Sequence, residues 1–147
     1  MAAGAFTFYH QFAELVADGT QDLDTHGFKL ALFTSTHSPS TADTTFSSLT
    51  NQVSGNGYAA GGNALASITW AQTSGVAKFD AADVVYTASG GSITARYAVL
   101  YNTTVAGAGD LVGYFVLDDT PADVTATDGN TLTVQWHTDG IFTLSVV

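Results

Sequence analysis

Few residue groups in this chain could do chemistry, and the spacing of each decides what it permits. Asp22-Leu23-Asp24-Thr25-His26-Gly27 opens like a calcium loop, with oxygens at alternate positions and a glycine for the sharp bend. The twelfth position counted from Asp22 is Phe33, where a bidentate Glu is required, and strand periodicity begins where a second helix should. These residues fit a turn better than a cation site. Asp118 and Asp119 are adjacent and precede Thr120-Pro121. They could serve as general acid and base only if burial and separation across a cleft split their pKa values. Consecutive residues at a strand end point to opposite sides, so a solvated turn is expected there.

The four histidines, His10, His26, His37 and His137, sit in separate segments. His10 and Glu14 are one helical turn apart, a spacing that can hold a metal, but two ligands alone make a poor site and an exposed helix face is the expectation. Ser, His and Asp are abundant enough to offer triads by chance, yet no Gly-x-Ser-x-Gly elbow is present. In Gly55-Asn56-Gly57-Tyr58-Ala59-Ala60-Gly61-Gly62, the third glycine of a dinucleotide fingerprint would fall on Ala60, and no Lys-Ser/Thr follows as in a phosphate loop. A tightly turning loop is expected instead. Asn102-Thr103-Thr104 matches the glycosylation sequon and is read as incidental. The absence of cysteine excludes disulfides, thiolate zinc sites, iron–sulfur clusters and a cysteine nucleophile. Trp70, Trp136 and the tyrosines could form a sugar-stacking platform. However, Trp136 shares strand parity with Leu132 and Val134, and Tyr97 with Ile93 and Val99, so core packing is expected. No catalytic, cofactor-binding or metal-binding residue is assigned, and no cofactor is expected.

The elements that must carry these residues are mostly strands. Phe8, Phe12, Leu15 and Val16 make one helical stripe, which predicts a helix over about 8–18 stopped by Asp18-Gly19. Residues 1–7 ahead of it read as a flexible arm. After Gly27 the period changes to two, with Phe28, Leu30 and Leu32 alternating with Lys29, Ala31 and Phe33. The Ser/Thr/Asn/Gly-rich stretch over about 34–63 reads as a long surface loop. Further strands are predicted over 65–70, 76–79, 84–87, 93–101, 111–117, 132–136 and 141–146. Gly107-Ala108-Gly109-Asp110, Asp128-Gly129-Asn130 and Asp139-Gly140 supply turns, the Asp-Gly pairs being hairpin signals. The pattern predicts a mainly β fold: an antiparallel β-sandwich or jelly-roll-like single domain over 8–147 with one N-terminal α-helix.

With 147 residues and 15.2 kDa there is room for one core. Thirteen Asp and Glu stand against three basic residues, giving a formal net charge of −10, yet only 11% of the chain is charged where about 25% is usual. Lys29, Lys78 and Arg96 are the whole cationic supply, too few to neutralise phosphates, so nucleic acid and anionic membrane are not expected partners. No segment approaches the roughly 20 apolar residues that span a bilayer. The start, Met1-Ala2-Ala3-Gly4-Ala5, lacks the basic n-region of a signal peptide, so synthesis and folding in the cytoplasm are expected.

The most distinctive feature is an order of segments: Phe8-Tyr9-His10-Gln11-Phe12, Asp22-Leu23-Asp24, Phe28-Lys29-Leu30-Ala31-Leu32-Phe33, Gly57-Tyr58-Ala59-Ala60-Gly61-Gly62, Ala95-Arg96-Tyr97-Ala98-Val99-Leu100-Tyr101, Leu111-Val112-Gly113-Tyr114 and Gly140-Ile141-Phe142. This order, running from about Phe8 to Leu144, resembles small β-rich virion structural proteins of tailed bacteriophages. The resemblance implies a non-enzymatic component of the phage particle with no active site to carry over. It implies a capsid decoration or cement protein first and a tail or fibre-associated protein second. Its partners would be the major capsid protein or other virion proteins, with many copies or a homo-oligomer on the particle surface. A carbohydrate-binding module is the alternative raised by the aromatic residues.

Overall fold

The computed structural model describes residues 3–105, 109–120 and 122–146. Among these the chain is mainly β, with several antiparallel sheets and one α-helix near the N-terminus, as expected. The first half runs β1 (Thr7–Phe8), α1 (Phe12–Ala17), β2 (Phe28–Phe33), β3 (Asn63–Ala64), β4 (Thr69–Thr73), β5 (Val76–Asp80) and β6 (Val84–Thr87). The second runs β7 (Ile93–Ala95), β8 (Tyr97–Asn102), β9 (Leu111–Val116), β10 (Val124–Ala126), β11 (Thr131–Val134) and β12 (Phe142–Ser145). A central sheet takes the order β1-β9-β8-β2-β3, while β12-β5-β4, β11-β6 and β10-β7 form smaller sheets.

The central sheet is apolar on both faces. Alternation sends Phe28, Leu30 and Leu32 of β2, with Ala98 and Leu100 of β8, to one face, where they pack with Phe79, Val84, Tyr86 and Ile93. It sends Ala31 and Phe33, with Val99 and Tyr101, to the other, where they meet Tyr9, Leu111, Phe46 and Leu49. Phe46 and Leu49 belong to the stretch read as a surface loop. That stretch is instead a fitted cover: the Phe46 ring stacks on Tyr101 with centroids 3.8 Å apart, and His37 lies over Phe33 at 4.4 Å. Its backbone is tied down as well, the Val53 N–H donating to the Leu32 carbonyl at 2.9 Å. A sheet with two apolar faces needs two covers, and this segment is the second.

Tyrosine hydroxyls complete the edge of β2, where β3 is only two residues long. Tyr58 accepts from the Leu32 N–H at 2.8 Å and Tyr86 donates to the Leu30 carbonyl at 2.6 Å. Burial pushes the Tyr58 phenol up to about 12 and that of Tyr86 higher still.

Other boundaries differ from expectation for identifiable reasons. The stretch 1–7 was expected to be free, with its first two residues outside those described. The rest is docked, the Gly4 N–H donating to the Val116 carbonyl at 2.9 Å and β1 pairing with Gly113 and Tyr114. The helix consequently starts at Phe12 rather than Phe8, and ends at Ala17 before Gly19 at φ 80°. Ile93–Tyr101 is not one strand. It breaks at Arg96, whose N–H donates to Phe33 and whose carbonyl accepts from Leu117, carrying the chain from one sheet to another. Neither Asp-Gly pair closes a hairpin between paired strands: β10 and β11, on either side of Asp128-Gly129, pair with β7 and β6, and β12 after Asp139-Gly140 pairs with β5. A left-handed glycine serves a corner between sheets as readily as a hairpin. The two-residue hairpin is Ser74-Gly75, at φ 52° and 85°, between β4 and β5. The turn expected at Gly107-Ala108 lies outside the described residues.

One glycine sets the entry to β3. Gly62 sits at φ +77°, and a Cβ there would collide with the Leu30 carbonyl oxygen, whereas Gly129 at φ +78° has open space around it. Gly62→Ala is expected to cost about 3 kcal/mol or more, strain plus overpacking, and Gly129→Ala about 1 kcal/mol. Urea denaturation of the two variants checks this, and equal losses would contradict it.

Candidate functional site

A cleft of about 910 Å³ opens between the N-terminal segment and the second half of the chain. Ala3, Gly4 and Phe6 line it from one side and residues 131–138 from the other, with Phe115 and Leu117 between. Phe6 reaches this position because Gly113 leaves room for its ring, which also lies 6.1 Å from that of Phe115. In β11 the alternation buries Leu132 and Val134 and leaves Thr131 and Thr133 exposed. Trp136 follows, half-buried, its indole N–H donating to the Ala82 carbonyl at 3.2 Å and its ring edge-on to Phe115 at 5.9 Å. His137 is the one ionisable residue among those lining the cleft.

Of the residues weighed in the sequence, Trp136 and His137 line the cleft, and most of the others lie elsewhere and serve turns. Asp22 accepts from the Asp24 and Thr25 N–H groups and the Thr25 hydroxyl, at 2.9, 3.2 and 2.7 Å, and these bonds hold its carboxyl below the usual range. Asp118 likewise accepts from the Thr120 hydroxyl and N–H, which lowers its pKa; Pro121 lies outside the described residues. His26 Nδ1 receives the Asn102 amide at 2.9 Å and the Asp22 N–H at 3.3 Å, which leaves the ring proton on Nε2. Asn102 is fully buried, so its sequon is closed to modification. His10 precedes α1, so it does not share a helical face with Glu14. His137 Nδ1 lies 3.1 Å from the Asp139 carboxylate in an exposed turn and receives the Asp139 N–H at 3.2 Å. The glycines of 55–62 turn the chain against β2 and β6 and are flanked by strand on the C-terminal side, with no helix to cradle a phosphate. Trp70 packs at 6.2 Å from Phe142 in the main core. Among the described residues no three His, Asp or Glu side chains converge as a metal site, and no helix is long and apolar enough to cross a membrane.

The cleft itself was missed by sequence reasoning. The alternation of Thr131, Leu132, Thr133 and Val134 was visible, but nothing local shows that Phe6, more than a hundred residues earlier, forms the facing wall. No protein-family model, curated protein or solved structure matches the chain.

His37 is the histidine that the fold constrains most. It is buried between Phe33 and Tyr97, its Nδ1 donating to the Thr50 carbonyl at 2.9 Å while Nε2 has no partner among the described residues. Burial pushes its pKa below the ordinary value, against the weaker opposing pull of the Thr50 carbonyl and Asp43. The unfolded chain therefore binds a proton that the folded chain refuses. Stability from this site is complete above the unfolded value of about 6.5 and falls as pH drops below it, until the folded pKa is passed. The urea midpoint is expected to fall between about pH 7.5 and pH 5, with a smaller fall in His37→Leu. An identical pH slope in both proteins would contradict this account.

Proposed function

We propose that the chain is a non-enzymatic structural protein of a tailed-phage particle, of the capsid decoration or cement type, which binds the head shell through protein–protein contacts. On this reading the central sheet and the smaller sheets are the two layers of a jelly-roll-like sandwich, and the cleft is a gap between them at one edge. The observation that carries the proposal is the cleft's chemistry: a trough lined by apolar, threonine and glutamine side chains with a single ionisable lining residue. Such a surface can be covered by a partner at little cost in desolvated charge, His137 at its margin being the one group that could carry a proton.

Several further features support it. The carboxylates in the turns accept bonds from their own backbone, which assigns them structural work. The charge of −10 suits an outer position better than one beside packaged DNA. Many copies on a symmetric shell make modest contacts add through avidity. The order of segments from Phe8 to Leu144 resembles virion structural proteins, with a tail or fibre position as the second choice within the particle. A carbohydrate-binding reading has one observation in its favour, the half-buried Trp136 in the cleft wall.

The test is sedimentation of the purified chain with phage heads, together with a protein inventory of purified virions. The chain is expected in mature particles and in the pellet with heads. Absence from both would overturn the proposal, and specific retention on a glycan array without particle binding would favour the carbohydrate reading.

A further inference from the structure

Two strand edges border the cleft, and neither has a partner among the described residues. β11 pairs with β6 on one side only, and β10 with β7 on one side only. β1 is the last strand of the central sheet, and residues 3–6, which lead into it, line the same cleft. Unpaired backbone edges beside a trough are an arrangement that can accept an added strand. Main-chain bonds would supply the affinity, and alternate side chains would enter the trough against Phe6, Phe115, Leu132 and Trp136.

The charged residues around the trough are mostly acidic. Leu117 and Val124 line one part, and Asp118, Asp119 and Asp123 stand next to them in the chain. Thr138 and Gly140 line another, with Asp139 between them, and Asp83 accepts from the Trp136 N–H at 3.1 Å. Arg96 offsets Asp123 at 2.7 Å, and Lys78 is held by Asp80 at 3.1 Å and the Thr138 carbonyl at 3.2 Å. Carboxylates adjoining the trough therefore outnumber the two cations held among them. A neutral strand would gain nothing from this excess, an acidic one would be repelled, and a cationic one would be steered in.

We infer that the cleft takes an extended segment of a neighbouring virion protein, apolar at alternate positions and flanked by Lys or Arg, seated as an added strand beside β11. This deepens the virion reading and rests on it.

The probe is a synthetic peptide of alternating valine and threonine with two lysines at each end, compared with the same peptide carrying glutamates. The lysine peptide is expected to bind the full chain and shift its tryptophan emission, with the shift lost in Trp136→Phe. Affinity should fall about tenfold for the glutamate peptide, and by a similar factor in the double variant Asp119→Lys, Asp139→Lys. Both aspartates are exposed, so the double variant should fold normally. Failure of the lysine peptide to bind, or equal binding of both peptides, would overturn the inference. Sedimentation with heads separates the two levels. If the parent chain pellets with heads and the double variant pellets equally well, the inference fails while the virion reading stands. If the parent chain neither pellets with heads nor occurs in purified virions, the virion reading itself fails.

Discussion

The structure depends on one constraint: a central antiparallel sheet that must be kept dry on both faces. In β2 every residue except Lys29 is buried, and in β8 every residue except Tyr97. Fully burying side chains such as Phe28, Leu30, Leu32 and Phe33 contributes on the order of 2 kcal/mol each, so neither face can be left open to water. The smaller sheets, with Val53 and Tyr58, cover one face, and Phe46, Leu49 and Tyr9 cover the other. That demand explains why a stretch rich in Ser, Thr and Gly is held by an aromatic stack at Phe46, a buried His37 and the hydroxyl of Tyr58. It also explains why Gly62 stands where it does, since the cover returns to the sheet there with no space for a side chain.

Charge is displaced to the margins by the same demand. Asp22 and Asp118 accept a threonine hydroxyl, and they and Asp18 each accept the N–H of a residue two positions on; these bonds hold the carboxylates at the surface and lower their pKa. Acidity in this protein is therefore mostly a property of its corners. The flat faces and the cleft floor are left with apolar, Thr, Ser and Gln side chains. A surface of that composition can be covered at little desolvation cost, and the acidic corners then bias which partner approaches.

What could be read from the sequence follows the range of the interactions involved. Period-two runs such as Phe28–Phe33 and Leu111–Val116 declare themselves because alternation is a local property. The turn chemistry of Asp22 and Asp118 and the helix stop at Gly19 are local too. The break at Arg96 was hidden because it depends on Phe33 and Leu117 capturing its backbone, and local alternation continues through it. The pairing across Asp128-Gly129 was misread because a left-handed glycine fixes a bend without fixing the partner strand. The docking of residues 3–8, the second cover and the cleft all join segments far apart in the chain, and no window of sequence contains both halves of them.

The most direct test of the account is imaging of intact particles at a resolution that shows side chains. The account predicts this chain on the head surface, its central sheet covered on both faces and a strand of a neighbouring protein lying in the trough beside Thr131–Val134. Particles without the chain, or a bound chain whose trough stays open to solvent while another face makes the contact, would contradict it.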